Sequence, residues 1–164
     1  MPSYSSILLE AIENVLEAND PRYVIKNILK SARELTQAEA SSLFLVNRKK
    51  KRIELVDSTN LKKRDVPEVS FPLGVGVSGW VAETGQSANI GDVSSDERFY
   101  SKVDKDTGFT TSGYLCVPLT LSGKVTGTLQ VLNKNSSGKF SSRDQSLLEL
   151  SLIHISEPTR LRRI

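Results

Sequence analysis

Cysteine and histidine are almost missing from this sequence, each occurring once in 164 residues, as Cys116 and His154. A lone cysteine cannot close an intramolecular disulfide, so a reducing compartment is its natural setting, and multi-cysteine chemistry is excluded. Cys116 lies between Leu115 and Val117 in an apolar run, the setting of a small buried side chain with no placeable acid or base to activate it. Long apolar stretches are missing as well. None approaches the ~20 residues of a membrane span, and the start lacks the charged and apolar regions of a signal peptide. These absences predict a cytoplasmic chain without a membrane partner. Nor does one sign of charge dominate: 22 basic against 19 acidic residues is too balanced for the concentrated basic face that nucleic acid requires. The one evident run, Arg48 to Arg52, reads as a solvated hairpin tip, with a membrane-surface or nucleic-acid patch as the alternative.

What is present, 38% hydrophobic and 25% charged residues, suits one globular domain with a sizeable core. Ile7, Leu8, Ala11, Ile12, Val15 and Leu16 recur at helical spacing and predict an amphipathic helix within residues 1–19. Asp20 and Pro21 then open a second helix, with Val24, Ile25, Ile28, Leu29, Ala32 and Leu35 on its buried face. Ala40 to Val46 and Arg52 to Ser58 read as an antiparallel hairpin, followed by a third strand over Glu68 to Pro72, where Pro72 marks an edge or exit.

Gly74-Val-Gly-Val-Ser-Gly79 matches the G-x-G-x-x-G pattern but lacks its context. The helix Val77 to Thr84 is short, Gly85 stops it, and turn-rich sequence follows instead of a parallel strand. What survives is the physical content of glycines before a helix N-terminus, where free amide N–H groups can meet an anion. Trp80 on that helix reads as core or pocket wall. Ser87 to Ile90 is a brief strand, and Tyr114 to Leu121 with Val125 to Asn133 forms the clearest hairpin, turning at Ser122-Gly123-Lys124. Ser141 and Asp144 open the last helix as a capping box.

Phe99 to Thr111 is polar, carries three aromatics and runs straight into the apolar strand, so it is expected to cover a sheet. Tyr100, Asp104, Thr107 and Thr111 are spaced at three and four, and on a helix they would share a face offering a phenol, a carboxylate and two hydroxyls. That mixture suits a small polar ligand, since each buried donor or acceptor needs a partner. A solvated surface helix with its own internal hydrogen bonds is the other reading of the same spacing.

Leu150 to Arg160 looks like the translation of a transposase-end sequencing adapter across all eleven residues. On that reading residues 150–164 are a non-native tail, the native chain continues past Glu149 to an output domain, and no native histidine remains for general base, metal or haem ligation. A native helix end is the alternative, which Pro158 fits poorly.

Residues 20–149 resemble a GAF domain, most closely the cyclic-nucleotide-binding kind of phosphodiesterases and bacterial adenylyl cyclases. The likeness rests on Ala40-Ser-Ser-Leu-Phe-Leu-Val46, on Gly76 to Gly85 with Ile90-Gly-Asp92, and on Val103-Asp-Lys-Asp-Thr-Gly-Phe109 before a Leu-Cys-Val-Pro strand. It also rests on Asn133-Lys134, Phe140 and Asp144, where Gln145 replaces the signature's final Glu. The resemblance implies an α+β fold: an antiparallel sheet of about six strands, terminal helices on one face, and a covered ligand pocket on the other. It implies a non-enzymatic regulatory sensor that binds cAMP or cGMP, dimerises through its terminal helices and belongs to a larger signalling protein. The family's methionine-sulfoxide reductases use several cysteines, and one is not enough.

Carried over by position, Ser42, Val56, Asp57, Val77 and Ser78 would touch the purine or present amides to it. Tyr100, Asp104, Thr107 and Thr111 would close over base, sugar and phosphate. Gln130 stands where binding members carry a Glu, and as a neutral amide it leaves the choice of guanine or adenine open. Lys134 and Asp144 would form a structural pair behind the sheet. No metal or further cofactor is implied. The alternative role within the family is a dimerising spacer without a nucleotide.

Overall fold

The apolar stripe after Asp20 folds as helix α1, Pro21–Thr36. Ile25, Ile28, Leu29 and Ala32 are buried along it, but Leu35, expected on the same face, is 47% exposed. Thr36 takes its place. Eleven residues beyond Ile25 it comes back to within about 20° of the same line at 3.6 residues per turn, and its hydroxyl donates to the Ala32 carbonyl at 2.7 Å.

The structure, a computed structural model, describes residues 21–60, 69–102, 104, 109–121, 123–135 and 139–150. The expected helix of residues 1–19, the tail beyond Leu150 with His154, and Thr107 lie outside them.

After α1 come strands β1 (Ala38–Asn47), β2 (Arg52–Ser58) and β3 (Ser70–Pro72), helix α2 (Gly76–Thr84) and strand β4 (Ala88–Ile90). A 3₁₀ turn (Val93–Ser95), strands β5 (Tyr114–Leu121) and β6 (Lys124–Lys134), and a helix over residues 142–150, α3, complete the described chain. The strands form one six-stranded sheet in the order β3-β2-β1-β6-β5-β4, every neighbouring pair antiparallel. This is the expected α+β class. With no parallel pair in the sheet, a dinucleotide fold has no βαβ unit to occupy, and the Gly74–Gly79 loop closes on itself, the Gly74 N–H donating to the Gly79 carbonyl at 3.0 Å. Pro72 ends edge strand β3, where its missing donor costs nothing.

Alternation divides the sheet. Leu43, Leu115, Val117, Leu119, Leu129 and Val131 point to one face, where Ile25, Ile28 and Leu29 of α1 and Leu148 of α3 pack on them with Phe140. Ala40, Tyr114, Cys116 and Leu132 point to the other, against Val77 and Val81 of α2 and the half-buried Phe99 and Phe109. The terminal helices α1 and α3 therefore take one face, and α2 and the cover take the other. The α3 cap is reciprocal: the Asp144 N–H donates to Ser141 Oγ at 3.1 Å, and the Ser141 N–H donates to Asp144 Oδ2 at 2.8 Å.

Candidate functional site

A cleft opens on the α2 face of the sheet. Ser42 and Phe44 of β1, Leu55 of β2, and Tyr114, Gln130 and Leu132 of β5 and β6 form its floor. Gly76 and Val77 close one side, and Phe99, Tyr100, Asp104 and Thr111 close another. Counted to its mouth it holds about 550 Å³ of empty space, a volume that includes open solvent. Only about 50 Å³ of that admits the centres of water molecules, enough for a few waters. A larger guest needs the walls to part.

The wall positions follow from local rules. Gly76 has φ +73°, and a Cβ there would stand 3.0 Å from Tyr100 Cβ, so glycine is what lets α2 start directly beneath the cover. No side chain caps α2: Val75 occupies the N-cap and makes no capping bond. Tyr100 packs on Phe71, ring centroids 5.6 Å apart, and Phe71 on Phe44 at 5.5 Å.

Asp104 closes the cover on its own end, just ahead of β5. Its Oδ2 accepts from the Thr111 N–H at 2.7 Å and its Oδ1 from Thr111 Oγ1 at 2.8 Å. Tyr100 and Thr111 themselves lie outside any helix, so the single helical face expected for these side chains does not form. They converge through the Asp104 clamp and the Phe71 contact instead.

Beneath the floor lies a buried polar group. Ser78 Oγ meets the Tyr114 hydroxyl at 2.7 Å, and both hydroxyls donate to Gln130 Oε1. Burial pushes the Tyr114 phenol well above its usual range, with the nearby Cys116 adding to the rise. Burial likewise pushes the Cys116 thiol up to about 12, against the hydrogen bonding of Ser78 and Thr128. A thiol held protonated in this way is not a nucleophile. Ser42 Oγ donates to Ser58 Oγ at 2.8 Å, and Ser58 Oγ donates to Asn60 Oδ1.

Of the sequence-predicted site residues, the fold brings Ser42, Val77, Tyr100, Asp104, Thr111 and Gln130 to one cleft. Ser78 stands behind it, within the buried polar group. Val56 and Asp57 are not among the residues that line it. A register shift between Leu43 and Phe44 leaves Val56 without a partner; Val56 packs on the α1 face, and Asp57 pairs with Leu43 of that face. The Asp57 carboxylate accepts from the Ser58 N–H at 2.8 Å. Phe44, Asn60, Phe71 and Tyr114 were missed. Phe44 has the parity of Ser42, and Tyr114 the parity of Cys116, so alternation along β1 and β5 held the signal. Trp80 stands outside the cleft, its ring 4.3 Å from the Arg98 guanidinium, and the Arg98 bond to Asp96 holds that carboxyl below its usual range.

The Asn133-Lys134 pair faces two ways. Asn133, at φ +58°, accepts on Oδ1 from the Ser112 N–H at 2.7 Å and the Gly113 N–H at 3.2 Å, and its Nδ2 donates to the Thr110 carbonyl at 2.8 Å and Glu39 Oε2 at 3.1 Å. Lys134 Nζ reaches both Asp144 oxygens at 2.9 Å. One residue pins the end of the cover and the next pins the start of α3. Among the described residues no cluster of His, Cys, Asp and Glu could hold a metal ion.

A six-stranded antiparallel sheet with α1 and α3 on one face and α2 and a covered cleft on the other defines an α+β domain. Residues 18–156 match the profile of the GAF domain family, and the chain belongs to that family. It is 32% identical over 140 residues to a "Probable 3',5'-cyclic phosphodiesterase pde-5" of Caenorhabditis elegans, covering 80% of this chain and 19% of the relative. It is 34% identical over 154 residues to a "Dual 3',5'-cyclic-AMP and -GMP phosphodiesterase 11A" of Takifugu rubripes, covering 88% and 17%. The chain thus spans under a fifth of the length of these relatives. In structure it is similar to the GAF domain of a phosphoenolpyruvate-protein phosphotransferase from Coxiella burnetii, with a TM-score of 0.75, 20% identity and coverage of 98% and 95%. That similarity speaks for the fold.

Proposed function

We propose that this chain is a regulatory sensor domain that binds a cyclic nucleotide, cAMP or cGMP, within a larger cytoplasmic signalling protein. The observation that carries the reading is the cleft itself: a floor of mixed polar and apolar side chains and an acid-clamped cover that meet at the N-terminus of α2. The uncapped first turn of α2, at Gly76 and Val77, offers amide dipoles to an anionic phosphate. Leu132, Phe99 and Tyr100 offer apolar and aromatic surface to a purine. Gln130 lines the cleft, and with its Oε1 accepting two hydroxyls, its amide nitrogen is the group left to serve as a donor to a ring nitrogen or carbonyl. Thr107, by resemblance, adds a hydroxyl to the cover. The names of the relatives agree with this ligand class.

In this reading the domain is not itself catalytic. Ligand draws the cover onto the sheet and shifts the population of terminal-helix arrangements in a homodimer, by no more than its differential affinity for the two states. Calorimetry with cAMP and cGMP is the test. Heat of binding with either nucleotide, together with slowed hydrogen exchange in the cover, is the expected result. No heat with both, up to millimolar concentrations, would sink it.

One observation favours a second reading, a dimerising spacer with no nucleotide. Asp104, Tyr114, Gln130 and Ser42 each already have an internal partner, and the cleft has room for a few waters. For a spacer, the cover's exchange would be equally slow with and without nucleotide.

A further inference from the structure

The densest charge in the chain is the β1–β2 turn, Arg48, Lys49, Lys50, Lys51 and Arg52 in succession. The strand order sets the β5–β6 turn beside it, because β1 pairs with β6 and Leu45 stands opposite Gly127. The two turns touch, the Arg48 Nη2 donating to the Val125 carbonyl. Arg52 also serves its own fold, its Nε and Nη2 donating to Ser70 Oγ and the Ser70 carbonyl, each at 2.9 Å.

The lysines are different. Lys49, Lys50, Lys51 and Lys124 are exposed, and among the described residues no carboxylate pairs with any of them. Two acids of neighbouring elements face other groups: Glu54 accepts from Asn47 Nδ2 at 3.1 Å, and Glu83 lies against Gly74. The turn is also fixed in shape. The Lys50 N–H donates to Asn47 Oδ1 at 3.1 Å and the Lys51 N–H to the Arg48 carbonyl at 3.3 Å. Lys51 sits at φ +54°, a position that Gly or Asn fills with less strain, so lysine there is held against local preference.

We propose that these paired hairpin tips form a cationic docking surface for an anionic lipid bilayer. None of residues 48–52, nor Lys124, is apolar or aromatic. The tips therefore lack the anchors that give a protein interface its affinity, and they lack a platform on which bases stack. Their free cations are ammoniums, point charges suited to a field of many headgroups, whereas the forked guanidiniums that would grip one carboxylate or phosphate are engaged on backbone. Five consecutive basic residues with Lys124 beside them make a local concentration of positive charge in a chain whose net charge is only +3. The inference departs from the expectation of no membrane partner, which rested on the missing span; a surface contact needs none.

Each lysine near such a surface is worth about fivefold in affinity at low salt, from about 1 kcal/mol apiece. The test is co-sedimentation of the whole chain with vesicles of phosphatidylcholine and phosphatidylserine, and with phosphatidylcholine alone. The variant combines Lys49→Gln, Lys50→Gln, Lys51→Gln and Lys124→Gln. Binding to the anionic vesicles only, screened out by high salt, lost in the glutamine variant and kept when the same four become arginine, is expected. Circular dichroism confirms that the variants fold. No binding to the anionic vesicles, binding that survives the glutamine variant, or tip-dependent capture of polyglutamate or duplex DNA without vesicle binding would each overturn the proposal.

Discussion

Replacing Asp144 with asparagine isolates the contact that holds α3 to the sheet. The carboxylate accepts from Lys134 Nζ at 2.9 Å on each oxygen and from the Ser141 N–H, and the two charged side chains are 13% and 7% exposed. Asp144→Asn leaves the ammonium facing a neutral amide where little water reaches. Breaking a buried pair from one side costs about 3–5 kcal/mol. Asparagine can still accept from Ser141, so the lower end applies, about 3 kcal/mol. With a urea slope of about 2 kcal/mol per molar, the midpoint should fall by about 1.5 M. Removing both charges by Lys134→Met with Asp144→Leu should cost far less, about 1 kcal/mol for the lost capping bond.

The same pair sets an acid dependence. Burial raises the Asp144 pKa, but the bonds from Lys134 and Ser141 outweigh it and hold the carboxyl below the usual carboxylate range. A lowered folded pKa means stability that is complete above the unfolded value and lost as pH falls through the folded one. The gap between wild type and Asp144→Asn should therefore narrow below about pH 4. A midpoint shift under about 0.5 M at neutral pH would place the pair among weak surface contacts and refute the reasoning.

Asp104→Ala removes two hydrogen bonds to Thr111, so the Thr111 amide should exchange faster by hydrogen exchange, and nucleotide affinity should fall about tenfold by titration. Cys116, fully buried with its thiol pushed up to about 12, should react with a thiol reagent only as fast as the domain unfolds; prompt labelling of the native chain would contradict that. Gly76→Ala meets both a positive φ and Tyr100, and should lose about 1–2 kcal/mol in denaturant unfolding while the neighbouring Val75→Ala loses less.

Much of this architecture was legible because its signals are periodic. Ile25, Ile28, Leu29 and Ala32 announce α1, and the alternation of β5 and β6 announces the central hairpin. What failed was what period cannot carry. Leu35 was assigned to the buried face because apolar character outweighed a phase error, and Thr36, closer in phase, is the buried residue. The bulge that sets Val56 and Asp57 apart from the cleft lining costs one residue and leaves no trace in composition. At the cleft, resemblance supplied positions that residue chemistry alone could not, since Ser42 and Val77 are unremarkable in their own stretches. The clamp of Asp104 on Thr111 joins residues seven apart outside one helix, so helical spacing grouped them for the wrong reason.

Asn133 and Lys134 are consecutive, yet one belongs to the cover and the other to α3. Consecutive Cα atoms stand about 3.8 Å apart and cannot stretch, so the end of the cover and the first turn of α3 are fastened to a single peptide unit. The left-handed backbone of Asn133 turns that unit into an elbow. On the far side of that elbow the doubly bonded ammonium of Lys134 fixes the start of α3. Cover and last helix thus share one anchorage, and a substitution that displaces the backbone at 133–134 is expected to disturb both attachments at once.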